Sequence, residues 1–182
     1  LAATNISISA PKSYRMAYSN YLIEEVARIL NGNSYQMLAP QYVTSPESKE
    51  VFMNEKSIKE VFDLAKNADI AVVGIGTLDH NSALINAELI PIEEFQRLQK
   101  KGGTGEILSH VVDKDGNVIR DQFEQHLLSL DLEDFKKIPV RVGVTYGMDK
   151  KDAILSALRG GYVNVLITDE KVARYLIEEN EK

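Results

Sequence analysis

Ile70-Ala71-Val72-Val73-Gly74-Ile75-Gly76 is the stretch that decides the fold. Its apolar residues run on without the polar alternation of a strand that has one wet face. The run therefore predicts a central parallel strand covered on both sides. Upstream, Ile58, Val61, Phe62, Leu64 and Ala65 fall at helical spacing after Asn54, which is placed as an N-cap. Residues 46–52 read as a short helix opened by Pro46, and residues 35–39 as a strand ended by Pro40. Tyr21, Leu22, Val26, Ile29 and Leu30 mark a helix over residues 19–31, stopped by Asn31-Gly32. Before it, Ile6, Ile8 and Ala10 alternate with Asn5, Ser7 and Ser9, which predicts a strand closed by Pro11.

Downstream, Pro91 suits the first position of a helix that ends near Lys101. Residues 107–112, the turn Asp113-Lys114-Asp115-Gly116-Asn117 and residues 118–119 read as a β-hairpin. Residues 132–137 form a short helix, 140–145 a strand, 149–159 a helix, 163–167 a strand and 169–179 a closing helix. Strands alternating with helices predict an α/β fold, a three-layer sandwich with a mainly parallel sheet, in which 70–75, 140–145 and 163–167 run parallel. No repeat or linker divides the chain, so residues 1–182 are expected to be one domain.

Composition narrows the function. The 182 residues carry 21 Lys+Arg against 27 Asp+Glu, a net charge of −6 that disfavours a general nucleic-acid surface. With 44% hydrophobic and 26% charged residues the chain is globular rather than disordered. Its apolar runs are too short for a bilayer span of about 20 residues. Residues 1–10 lack the basic start of a signal peptide, so a cytoplasmic location is expected. The absence of cysteine excludes disulfides, a thiol nucleophile and thiolate zinc. Three histidines without a paired spacing predict no metal site, and no cofactor motif is present. The chain opens without Met, almost directly into a strand-like run, and is expected to be a piece of something longer.

Four glycine or polar loops are read as following predicted strands, and in open α/β sheets ligands bind at the carboxyl ends of the strands. Gly74 to Ser82 offers glycines and the hydroxyls of Thr77 and Ser82, although the glycines could equally serve tight packing. Gly102-Gly103-Thr104-Gly105-Glu106 has more glycines than a helix cap needs. Its donors, hydroxyl and carboxylate suit a polyol carrying a phosphate, with a flexible turn as the alternative. In Tyr146-Gly147-Met148-Asp149-Lys150-Lys151, Lys150 stands near a helix N-terminus, which favours negative charge. A bound phosphate would resolve that conflict, whereas Lys151 reads as a solvated lysine. Thr168-Asp169-Glu170 is first of all an N-cap, with a ligand role for Asp169 as the minor alternative. His80 beside Asp79 could serve acid–base chemistry, while His110 and His126 read as structural or exposed. No G-x-S-x-G elbow or P-loop occurs, and Asp113-Asp115-Asn117 fits a hairpin turn better than a calcium loop.

With these loops in place, the chain resembles the sugar-binding effector domain of SorC/DeoR-type bacterial transcriptional regulators. The resemblance rests on residues 68–77, Gly105-Glu106-Ile107, residues 150–161 and residues 164–170, in the family's order and spacing. It implies a fold shared with phosphosugar isomerases and a sugar-phosphate site at the sheet's carboxyl edge. The residues carried over are Gly76, Thr77, Ser82, Gly105, Glu106, Gly147 and Lys150. Two departures stand out: Glu106 replaces the family's usual Asp, and Tyr146-Gly147 replaces a glycine pair. The resemblance further implies a helix-turn-helix and a first strand–loop–helix unit outside this chain, DNA contact only through that absent part, and a homo-oligomer, dimer or tetramer. It makes the chain a sensor of a phosphorylated sugar rather than an enzyme. The alternatives are a sugar-phosphate isomerase or lactonase of the same fold, suggested faintly by Gly74-Ile75-Gly76 with Asp79-His80, and a purely structural interaction domain. No second carboxylate can be placed beside His80, which lowers the enzyme reading.

Overall fold

In the computed structural model, residues 2–3, 15–80, 82–86 and 90–180 are described. Their order is β1 (Ala2–Ala3), α1 (Arg15–Ile29), β2 (Tyr35–Gln36), α2 (Pro46–Asn54), α3 (Lys56–Lys66), β3 (Ile70–Val73) and β4 (Gly76–Thr77). Then come α4 (Ala83–Asn86), α5 (Ile92–Lys100), β5 (Gly103–Ile107), β6 (His110–Asp113), α6 (Gln122–His126) and α7 (Leu132–Phe135). β7 (Val140–Val144), α8 (Lys151–Arg159), β8 (Val165–Ile167) and α9 (Glu170–Asn180) complete it, with a 3-10 turn at Met148–Lys150 leading into α8. The strand expected around Ile6, Ile8 and Ala10 lies outside the described residues.

The expected parallel arrangement is present: β3, β7 and β8 form one sheet in that order, with Val72 beside Val142 and Val142 beside Val165. Helix α8 crosses between β7 and β8, as a βαβ unit requires. A separate antiparallel sheet runs β4-β5-β6. The fold is thus α/β with a mainly parallel principal sheet. One cluster joins Ile58, Val61 and Phe62 of α3 to Ala153, Ile154 and Ala157 of α8, with Phe135, Tyr162 and Val172. A second lies around the antiparallel sheet, where Leu98 and Phe95 of α5 meet Val111, Leu78 and Phe123.

Three local readings are corrected. First, the run 70–76 is divided between sheets: β3 stops at Val73, and Gly76-Thr77 leaves to pair with β5. Among the described residues β7, not β3, is the middle strand, and Ile70 and Val72 are 60% and 62% exposed. The run lacks alternation because Ala71 and Val73 pack into the core while Ile70, Val72, Val140, Val144, Val165 and Ile167 make an apolar outer face. Second, Asn54 ends α2 and Glu55 occupies the α3 N-cap position without a side-chain cap. Third, residues 107–112 are not one strand. Ile107 pairs with His110 across the two-residue turn Leu108-Ser109, whose φ angles are 51° and 66°. Such turns favour Asn-Gly, so neither residue announces one. The turn is held from outside instead: the Glu106 carboxylate accepts from the Ser109 N–H at 2.9 Å, and the Ser129 hydroxyl donates to the Leu108 carbonyl at 2.7 Å.

The Asp113–Asn117 segment is a turn, as expected, with Asp113 Oδ1 accepting from the N–H groups of Asp115 and Asn117. It docks on the end of α8 through Tyr162, buried at 2% exposure, whose hydroxyl donates to the Gly116 carbonyl at 2.7 Å. Tyr162→Phe leaves that carbonyl without its donor, at an expected cost of about 1–2 kcal/mol. The thermal midpoint should fall by roughly 2–8 °C. A midpoint unchanged to within about 1 °C contradicts this account of how the turn is anchored.

Candidate functional site

Two glycines allow the strands and a helix to converge. Gly76 on β4 pairs with Glu106 on β5, and Thr77 with Gly105. A Cβ on Gly76 would stand 2.8 Å from Glu106 Cδ, so the bare backbone is what lets the carboxylate lie across β4. A Cβ on Gly105 would stand 2.6 Å from the Ala153 Cβ, so this position brings α8 directly onto β5. Lys150, the residue just before α8, is thereby delivered to β4, and its Nζ donates to the Ile75 carbonyl at 3.4 Å.

Gly76, Thr77, Gly105, Glu106 and Lys150, drawn from stretches far apart in sequence, are thus brought together. Burial pushes the Glu106 carboxyl above the ordinary glutamate value. The Ser109 N–H and the charges of Lys150 and His110 pull it the other way. Gly147 lies in the turn that ends at Lys150, closed by the Lys150 N–H donating to the Gly147 carbonyl at 3.1 Å. Its φ of 98° is a conformation that favours glycine, and a Cβ there would collide with the Asp149 carboxylate. Tyr146, the preceding residue, is 77% exposed.

Other expected groups are already engaged. Thr77 is buried and its hydroxyl donates to Asp79 Oδ1 at 2.9 Å. Ser82, at 1% exposure, accepts from the Leu84 N–H and opens α4. Gly102 to Glu106 is not a loop: Gly103 begins β5, and the Thr104 hydroxyl donates to the Gly102 carbonyl. His80 is exposed. His110 is buried between the Glu124 carboxylate at 2.8 Å and the Leu130 carbonyl at 2.9 Å, a structural placement, and His126 packs against the Tyr42 ring. Among the described residues no group of three or more His, Asp or Glu is arranged to hold a metal. A groove of about 730 Å³ bordered by Lys49, His110, Arg120, Glu124 and Ser129 includes none of the seven residues carried over from the family.

Asp169 is the residue that sequence reasoning undervalued. Its Oδ1 accepts from the N–H groups of Lys171 and Val172, the expected cap, but its Oδ2 also accepts the Gly147 N–H at 2.8 Å. The signal was its position after β8, beside the strand end that carries Gly147.

A parallel α/β sheet with an antiparallel flap, and polar loops gathered at the strand ends, has the architecture of a small-molecule-binding domain. The sequence profile of the sugar-binding domain family matches residues 6–178, and the chain belongs to that family, the sugar-binding domain of SorC/DeoR-type transcriptional regulators. The transcriptional regulator LsrR of Escherichia coli O9:H4 (strain HS) is 36% identical over 142 residues, 76% of this chain and 45% of LsrR. The erythritol catabolism regulatory protein EryD of Brucella abortus (strain 2308) is 31% identical over 146 residues, 79% of this chain and 45% of EryD. The full-length sorbitol operon regulator SorC of Klebsiella pneumoniae superposes with a TM-score of 0.83 at 25% identity, over 94% of this chain and 55% of that one. The chain spans about half the length of the curated relatives it matches. These relatives are regulators, which agrees with the expectation of a sensor rather than an enzyme.

The raised Glu106 pKa makes a stability prediction. A carboxyl whose folded pKa lies above its unfolded value opposes folding once it ionises. The penalty is absent below the ordinary glutamate range, where both states are protonated, and grows as pH rises through the folded value. Glu106→Gln keeps the acceptor for Ser109 and removes the charge. Its thermal midpoint relative to the parent should therefore be higher at pH 8 than at pH 4. A difference that is constant, or that shrinks with rising pH, refutes the assignment.

Proposed function

We propose that this chain is the effector-sensing domain, over residues 1–182, of a sugar-responsive regulator, and that its ligand is a phosphorylated sugar. The observation that supports this most is the pairing of opposite chemistries: the Lys150 ammonium ahead of α8, and the Glu106 carboxylate on the neighbouring strand. A phosphate would lie against Lys150 and the Gly147 turn, at the positive end of α8. The carboxylate would accept sugar hydroxyls, with the backbones of Gly76, Thr77 and Gly105 shaping the floor. Ser82 would act from behind, by holding the loop that follows Thr77. Sensing would be a population shift: the sugar phosphate binds one arrangement of a dimer or tetramer better, and so alters how a DNA-binding part elsewhere in the polypeptide meets its operator. No cofactor or metal enters this reading, and the setting is cytoplasmic. Among the described residues no helix is long and apolar enough to cross a membrane.

The second reading, an isomerase or lactonase, places the chemistry on His80. The two are separated by titrating ribose 5-phosphate, glucose 6-phosphate and fructose 1,6-bisphosphate, each against its unphosphorylated parent sugar. Lys150→Ala should weaken binding of the preferred sugar phosphate about tenfold or more, by deleting a charge-assisted partner, and change binding of the parent sugar much less. His80→Ala should leave affinity unaltered. Sustained turnover that disappears in His80→Ala would replace the sensor with the enzyme.

A further inference from the structure

Strands β7 and β8 end side by side, with the Thr145 N–H donating to the Ile167 carbonyl at 3.1 Å as their last link. Beyond it the chain must turn twice, once through Gly147 toward α8 and once through Asp169 into α9. An N-cap needs only one side-chain oxygen, and Asp169 Oδ1 supplies it, at 3.0 Å from the Lys171 nitrogen and 3.2 Å from that of Val172. Oδ2 is left over, and it reaches across to the Gly147 N–H at 2.8 Å. The Gly147 N–H is the group that does most to hold the Asp169 carboxyl below its ordinary value. From Gly147 to Lys150 there is one tight 3-10 turn, closed by its own hydrogen bond, so whatever fixes Gly147 also fixes where Lys150 stands.

We infer that Asp169 is a positioning residue for the ligand site: its second carboxylate oxygen straps the Gly147 turn to the start of α9 and so sets the direction from which Lys150 meets an anion. The inference rests on Lys150 being the phosphate partner. It also changes the part played by Gly147. Its N–H is spent on Asp169, so this glycine serves the site through the shape of its turn.

Asp169→Asn separates strap from cap. Its single carbonyl oxygen retains the cap, while its NH2 faces the Gly147 N–H, donor against donor. Asp131→Ala is the control. Asp131 caps α7 by accepting from the Glu133 N–H at 2.8 Å, and it is not part of the site. The readouts are peptide-resolved amide exchange over residues 145–151 without ligand, and affinity for inorganic phosphate and for the best of the three sugar phosphates, each beside its parent sugar. Asp169→Asn should speed exchange in that segment about tenfold and weaken phosphate and sugar-phosphate binding by a similar factor, with the parent sugar changed less than about twofold. Asp131→Ala should lower the thermal midpoint and alter neither readout. Unchanged exchange in Asp169→Asn overturns the strap. Faster exchange with undiminished sugar-phosphate affinity overturns its service to the ligand. A parent protein that shows no preference for the phosphorylated sugars instead removes the phosphate reading, and the exchange result still decides whether the strap exists.

Discussion

The contact between Gly105 and Ala153 is the constraint on which the rest of this structure depends. Helix and strand backbones meet there at a separation that no side chain at position 105 would allow. Because α8 lies so close to β5, the antiparallel flap is locked to the crossover helix of the parallel sheet. The residue that opens that helix, Lys150, then arrives at the strand carrying Gly76. Gly76 repeats the device one strand over, leaving space that the Glu106 carboxylate fills. Two missing side chains thus place an ammonium and a carboxylate in one corner.

This geometry couples site and scaffold closely. Glu106 is at once a candidate ligand group and the acceptor that steadies the left-handed Leu108-Ser109 turn. Asp169 is at once a helix cap and a tie to the neighbouring strand end. A ligand drawing on the Glu106 carboxylate competes with a bond that holds a turn in place, so occupancy would be felt beyond the immediate contacts. That is a property expected of a domain that reports ligand rather than converts it, because reporting needs differential interaction with two arrangements.

The sequence was most legible where the controlling information is local. The periodicity of 149–159 between the runs at 140–145 and 163–167 was enough to read a βαβ unit, and β7, α8 and β8 form one. It was least legible where a distant residue decides. Nothing within 70–76 marks the break after Val73, which depends on Gly76 pairing with Glu106. Nothing in Leu-Ser announces a two-residue turn, because Glu106 and Ser129 stabilise it from other elements. Gly105 was singled out as part of a phosphate-suited loop, whereas its demonstrable work is close packing against a residue 48 positions later. The convergence of Glu106 with Lys150 was anticipated only through the family resemblance. The second oxygen of Asp169 was hidden because one carboxylate has two acceptors and a sequence reveals at most the nearer use.

The central claim is that one corner of the fold, at the Gly105–Ala153 contact, takes an anionic sugar. Backbone amide resonances of the isotope-labelled chain, followed through a titration with ribose 5-phosphate, glucose 6-phosphate and fructose 1,6-bisphosphate in turn, test it most directly. The account predicts that the ligand that binds shifts Gly76, Thr77, Glu106, Gly147 and Lys150 together, along one saturation curve, and leaves Lys49, Arg120 and Glu124, which border the groove, unmoved. Saturable shifts confined to that groove, with the Gly76–Lys150 corner silent, would contradict it.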